Sequence, residues 1–143
     1  MTTMAELYQS VIVAHDRNPR NCRALTEPTS RAQGRNPLCG DDITVEIQLD
    51  DTDRIVDMAF QGTGCAISRA SASLMTEALR GHTRAEADAL FDGFHALLTG
   101  APAEATELGK LAAFKGVAEY PMRVKCATLA WHAMKAALAG NGE

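Results

Sequence analysis

From Asp42 onward apolar side chains fall on every second residue. Ile43, Val45, Ile47 and Leu49 share one face, and Thr44, Glu46 and Gln48 share the other. An alternation of that length predicts a half-buried β-strand. The turn-forming run DDTD (50–53) follows, and Val56, Met58 and Phe60 then alternate in the same way. The segment therefore predicts a hairpin with one wet face. A hairpin brings the residues before its first strand beside those after its second. Cys39 and Asp41 stand just before the first strand in NPLCGDD (36–42), and Cys65 stands just after the second in GTGCAIS (62–68). Three chemically capable side chains can thus meet at one end of a sheet despite their separation along the chain.

Around the hairpin the period becomes helical. Leu7, Val11, Ile12 and Ala14 predict a helix over about Ala5–Asp16, stopped at DRNPRN because Pro19 disfavours a helical residue before it. The polar stretch from there to Pro37 is either a loop or an irregular edge strand. Ala66–Arg80 is helical by composition, with Gly81 suited to the position past its end. Thr83 starts another helix with Glu86 in capping-box position, and its apolar stripe is Ala87, Leu90, Phe91, Phe94, Leu97 and Leu98. A shorter helix is expected around Glu104–Phe114. Pro121 opens the last helix, whose apolar face is Val124, Ala127, Trp131, Met134 and Leu138. The order helix, hairpin, helices predicts an α+β fold. With 143 residues the chain is expected to form one domain, residues 1–143.

Net charge is −4, which favours no general affinity for nucleic acid or anionic lipid. The opening MTTMAELYQSVIVAHD has no apolar run of the secretory type, and no window approaches a membrane span. The sequence therefore reads as cytoplasmic. In that reducing compartment four cysteines point away from disulfides and toward a metal or a reactive sulfur, with plain packing in the core as the standing alternative.

The neighbours of three cysteines weigh against packing alone. Cys65 follows Gly62-Thr63-Gly64 and opens a helix, where close backbone approach and the helix dipole favour a thiolate. Cys126 lies in the first turns of the last helix, with Arg123 and Lys125 beside it to favour the anion. Cys39 stands in a Pro/Gly turn. Three thiolates and a carboxylate, Cys39, Asp41, Cys65 and Cys126, would make a tetrahedral zinc set. No CxxC pair supports it, so the spacing alone is a weak signal. A phosphatase-type cysteine loop would need an arginine where Ser71 stands, and a dinucleotide fingerprint would need a glycine where Ile67 stands. His15, His82, His95 and His132 are expected to be solvated, Cys22 to be a bystander, and DDTD to be a solvated turn.

These residues resemble the SufU/IscU family, the U-type proteins of iron–sulfur cluster assembly, which includes the NifU N-terminal-domain type. The matching pieces are DRNPRN, NPLCGD, FQGTGCAISRASASLM and RVKCATLAW, in family order from residue 16 to 131. Two details are closer to SufU than to IscU. IscU-like chains carry a histidine where this sequence has Lys125, and a protonated lysine has no lone pair for a metal. The interval from Cys65 to Cys126 is also longer, and the helical region around 81–102 resembles the SufU insertion. YPMRVK (120–125) stands where IscU has a chaperone-docking LPPVK motif.

The resemblance implies a small antiparallel sheet of about three strands packed on several α-helices. It implies Zn2+ on Cys39, Asp41, Cys65 and Cys126. It also implies sulfurtransferase activity: Cys39 accepts a persulfide from a SufS-type cysteine desulfurase, while Asp41, Cys65 and Cys126 keep the metal. Arg123 and Lys125 would serve thiolate or partner electrostatics. The pyridoxal phosphate would belong to the desulfurase and not to this chain, and a SufBCD-type scaffold would lie downstream. An iron–sulfur cluster scaffold is the alternative, and a structural-zinc interaction module is an alternative of another class.

Overall fold

The computed structural model describes residues 4–26, 28–36, 40–99, 111, 114, 117 and 120–139. Its elements, in chain order, are α1 (Met4–Arg17), β1 (Ser30–Asn36), β2 (Asp41–Leu49), β3 (Ile55–Thr63), α2 (Ala66–Leu79), α3 (Arg84–Thr99) and α4 (Pro121–Leu138). The strands form one antiparallel sheet in the order β1-β2-β3. One face of it is covered by helices: α4 lies on β1 and β2, and α2 lies on β3 and α4. Helix α1 packs on α2, and α3 packs on α4. The fold is α+β, as the order of patterns predicts. The expected helix around 104–114 falls mostly outside the described residues; Leu111 and Phe114 are described and buried.

The alternation in β2 buries Ile43, Val45 and Ile47 completely against the helices. Two details differ from the sequence reading. A register shift between Gln48 and Leu49 sets Ile55, not Val56, opposite Leu49. An irregularity of this kind moves the following side chains to the other face. Ile55 is therefore fully buried and Val56 is 44% exposed. The second difference is Glu46, expected on the wet face but buried. The chain after α1 crosses that face, bridging Cys22 to Phe60, and the Leu25 N–H donates to Glu46 Oε1 at 3.0 Å. A buried carboxylate is tolerated there because the crossing segment supplies its donor.

Only the last part of the polar stretch before Pro37, Ser30–Asn36, is an edge strand; the described part before it is irregular. The strand's own residues give little signal beyond Ala32, which is buried, so β1 exists because it completes the ladder of β2. Helix α3 opens on a reciprocal capping box: the Thr83 N–H donates to Glu86 Oε1 at 2.9 Å and the Glu86 N–H donates to Thr83 Oγ1 at 3.2 Å. The Thr83 amide, followed by His82, holds the Glu86 carboxyl below its ordinary range.

The α3–α4 seam is aromatic. Trp131 of α4 stacks on Phe94 at 4.8 Å, and Phe94 meets Phe114 edge-on at 5.6 Å. Nearer the surface the Phe91 ring lies under Lys135 Nζ at 4.9 Å and against His132 at 5.3 Å and His95 at 5.8 Å. Burial, followed by the charges of His95 and Lys135, pushes the His132 imidazole below its ordinary 6.5. A base whose folded pKa is depressed contributes stability above its unfolded value and loses it as pH falls through the folded value. Between about pH 7.5 and about pH 5, wild-type melting temperature should therefore drop roughly 1–3 °C more than that of His132→Gln. Equal slopes in the two melting series would put the pH dependence elsewhere.

Candidate metal centre

The end of the hairpin builds the site. Asp41 starts β2, and the residue after it, Asp42, pairs with Thr63 at the end of β3. Gly62 makes that approach possible: its φ is 137°, and a Cβ there would lie 2.0 Å from the Asp42 carbonyl oxygen. Gly64 is close-packed too, though less tightly: a Cβ on it would lie 3.0 Å from Asp41 Oδ1 and 3.1 Å from Ser68 Cβ. The chain then turns into α2 with Cys65 as its N-cap, whose sulfur accepts the Ser68 N–H at 3.5 Å. The Cys65 N–H donates to Asp41 Oδ1 at 2.9 Å, and Cys65 Sγ lies 3.9 Å from Asp41 Oδ2. For Asp41 and Cys65 the adjacency read from the hairpin is direct contact.

Cys126 arrives from the other side, on α4. Deep in the interface the Ser71 hydroxyl of α2 accepts the Trp131 indole N–H at 3.2 Å and donates to the carbonyl of Ala127, the neighbour of Cys126. Both side chains are fully buried, so this clamp fixes how α4 lies on α2. The result is that one ligand atom each of Asp41, Cys65 and Cys126 lie within 4.8 Å of one another. Asp41 is 2% exposed and Cys126 is 4% exposed, whereas Cys65 opens to solvent.

This donor set fits a zinc ion. Two Zn–S bonds of ~2.3 Å in a tetrahedron put their sulfurs about 3.8 Å apart, a small adjustment from the spacing present. Two sulfurs and a carboxylate oxygen are zinc ligands by chemistry and leave one tetrahedral position for a fourth donor. Cys39, the fourth residue of the expected set, lies outside the described residues. The described residues that flank it meet each other: Asn36 pairs with Asp41, and the Gly40 N–H donates to the Asn36 carbonyl at 2.8 Å.

The remaining sequence candidates fall as follows. The Arg123 guanidinium lies 4.7 Å from the centre of the Tyr120 ring, and Lys125 is exposed next to Cys126. Cys22 is exposed at its bridge to Phe60. His82 lies in the turn before α3, 3.3 Å from Glu86 Oε1. His15 departs from expectation. It is 3% exposed, with Nδ1 2.7 Å from Ser73 Oγ and Nε2 3.5 Å from Glu77 Oε1. The reason is the packing of α1 on α2. The signal was present in the sequence, because His15 lies one helical turn beyond Val11 and Ile12 on the same stripe. Ser68 and Ser71 were not singled out by sequence reasoning; only the place of Ser68 three residues after a helix cap could have marked it.

A three-stranded sheet with helices on one face, and a carboxylate and two thiols gathered at its end, define a small α+β protein with a metal-capable centre. The chain belongs to the NifU-like N terminal domain family, which it matches over residues 7–127. It is 41% identical over 140 residues to the iron-sulfur cluster assembly scaffold protein IscU of Streptococcus pyogenes serotype M1, covering 96% of this chain and 86% of that protein. It is 39% identical over 134 residues to the zinc-dependent sulfurtransferase SufU of Bacillus subtilis, covering 93% and 90%. Among solved structures it superposes on a protein of Fervidobacterium islandicum AW-1 described as "Putative iron-sulfur cluster assembly scaffold protein for SUF system (FiSufU)", with a TM-score of 0.86 and 34% identity, covering 90% of this chain and 93% of that one. Among the described residues no helix is long and apolar enough to cross a membrane.

Proposed function

We propose that this protein is a zinc-dependent sulfur acceptor that works with a SufS-type cysteine desulfurase in iron–sulfur cluster assembly and passes sulfur on toward a SufBCD-type scaffold. The observation that carries the reading is the gathering of Asp41, Cys65 and Cys126 donors within 4.8 Å at the end of the hairpin. Lys125, which offers no lone pair beside Cys126, leaves Cys39 as the fourth donor within reach along the chain. The likeness to a relative named a zinc-dependent sulfurtransferase supports the same reading. The segment 81–102 is read as the element that sets the SufU branch apart, and the reduced thiols suit the cytoplasm.

Zinc held there would supply a redox-inert positive charge that keeps the sulfurs deprotonated. The chain's own residues supply the rest. Asp41 at the start of β2, and Cys65 and Cys126 on two helices, hold the framework. Cys39 is the acceptor. Its thiolate attacks the outer sulfur of the desulfurase persulfide, a new S–S bond forms on Cys39, and the desulfurase cysteine leaves as a thiolate. The exchange balances without an outside oxidant or reductant. Arg123 and Lys125 place positive charge at the same end of α4, where an anionic persulfide would approach.

Mixing the protein with its desulfurase and cysteine, trapping persulfides by alkylation and mapping them by mass spectrometry tests this. The label should concentrate on Cys39, and Cys39→Ala should abolish stimulation of the desulfurase while Asp41, Cys65 and Cys126 still retain some zinc. Label found mainly on Cys126 would count against the reading and for a cluster scaffold. That second reading is supported by the likeness to a relative named a scaffold protein. No transferred sulfur on any cysteine would leave only a structural-zinc interaction module.

A further inference from the structure

The Cys65 N–H donates to one acceptor, Asp41 Oδ1, at 2.9 Å. Cys65 caps α2 through its sulfur, and the third helical residue is Ser68. In a reciprocal capping box the side chain at that third position turns back to accept the cap residue's own N–H, as Glu86 does for Thr83 at α3. At α2 the box is half closed, because Asp41 Oδ1 has taken the Cys65 N–H at 2.9 Å from another strand. The Ser68 hydroxyl is left fully buried with no hydrogen-bond partner among the described residues. An unpaired buried hydroxyl is destabilising, so its presence calls for a reason. Gly64 supplies the geometry. A Cβ there would lie 3.0 Å from Asp41 Oδ1 and 3.2 Å from Ser68 Oγ, so both acceptors lean on the backbone carbon just before the amide.

We propose that Ser68 is a positioning residue for Asp41: its hydroxyl takes over the Cys65 N–H when Asp41 Oδ1 turns away to ligate, closing the α2 capping box and freeing the carboxylate. The clause about ligation rests on the zinc reading above; the exchange of acceptors does not. No covalent bond changes. A rotation of Ser68 about its χ1 bond re-aims the hydroxyl, and the donor is never left unpaired. The start of α2, and with it Cys65, therefore holds its place while the carboxylate changes partner. Gly64 suits the exchange, since a side chain there would crowd both oxygens.

Backbone amide exchange of Cys65, followed by NMR, tests the proposal with and without Zn2+ alone as the probe. In metal-free protein, Ser68→Ala should change the rate little because Asp41 still holds the amide. Asp41→Ala should raise it by at most about threefold because Ser68 steps in, and the double variant should exchange about tenfold faster than either. With zinc bound, Ser68→Ala alone should exchange about tenfold faster than wild type, and Ser68→Thr should restore protection. A double variant no faster than Asp41→Ala, or a Ser68→Ala effect equal with and without zinc, would overturn the proposal. The zinc arm keeps the test decisive if Asp41→Ala does not fold. A wild-type chain that takes up no zinc would overturn the metal reading instead, and the metal-free arms would then decide the exchange of acceptors.

Discussion

Cys126→Ala should weaken zinc binding on the order of a hundredfold and lower the melting temperature more than Cys39→Ala does. Structural zinc sites bind with about 10–16 kcal/mol, so one of four ligands carries roughly 3 kcal/mol. Cys126 also lies 4% exposed on α4, the helix that covers β1 and β2, so its loss unties a packed element from the hairpin end. Cys65→Ala should behave similarly, because the same sulfur caps α2. Cys39 lies in a Pro/Gly turn by sequence and carries no helix with it. Competition with a chromophoric chelator and thermal melts of the three alanine variants measure both effects. If Cys39→Ala proves the least stable of the three, the assignment of the displaceable ligand is wrong.

Trp131→Ala should be the most damaging substitution away from the donor set. The indole is fully buried, stacks on Phe94 at 4.8 Å, lies 6.4 Å from Phe91, and donates to Ser71 Oγ. Truncating a buried tryptophan costs about 3–5 kcal/mol, which is roughly 10 °C or more in melting temperature for a domain of this size. Zinc affinity should fall with it, since Trp131 and Cys126 share α4 and the Ser71 clamp seats that helix on α2. Ser71→Ala is the milder partner, leaving the indole N–H unpaired for about 1–3 kcal/mol. A Trp131→Ala variant that melts near wild type would show that the seam does not hold α4.

The parts of the fold and site legible in the sequence were those set by local pattern. The period-two run fixed β2, and the hairpin topology alone put Asp41 beside Cys65. The capping box of α3 was written in Thr83 and Glu86, and Pro121 marked the start of α4. What local pattern could not carry was decided by contacts distant in sequence. The register shift at Gln48 and Leu49 turned Ile55 inward, and the segment around Leu25 covered Glu46. Strand β1 has almost no signal of its own and owes its pairing to β2. The approach of Cys126 depends on a serine and a tryptophan in different helices, which no spacing rule connects. His15 reads as solvated in the sequence because a polar residue on an apolar stripe looks so until its partner, Ser73, is known.

X-ray absorption at the metal edge, on protein purified without air, decides whether the end of the hairpin holds zinc. A zinc ion held by Cys39, Asp41, Cys65 and Cys126 should give three sulfurs near ~2.3 Å and one oxygen at about 2.0–2.2 Å, in a colourless protein. Four sulfurs around the zinc, or a coloured iron–sulfur protein as isolated, would contradict it.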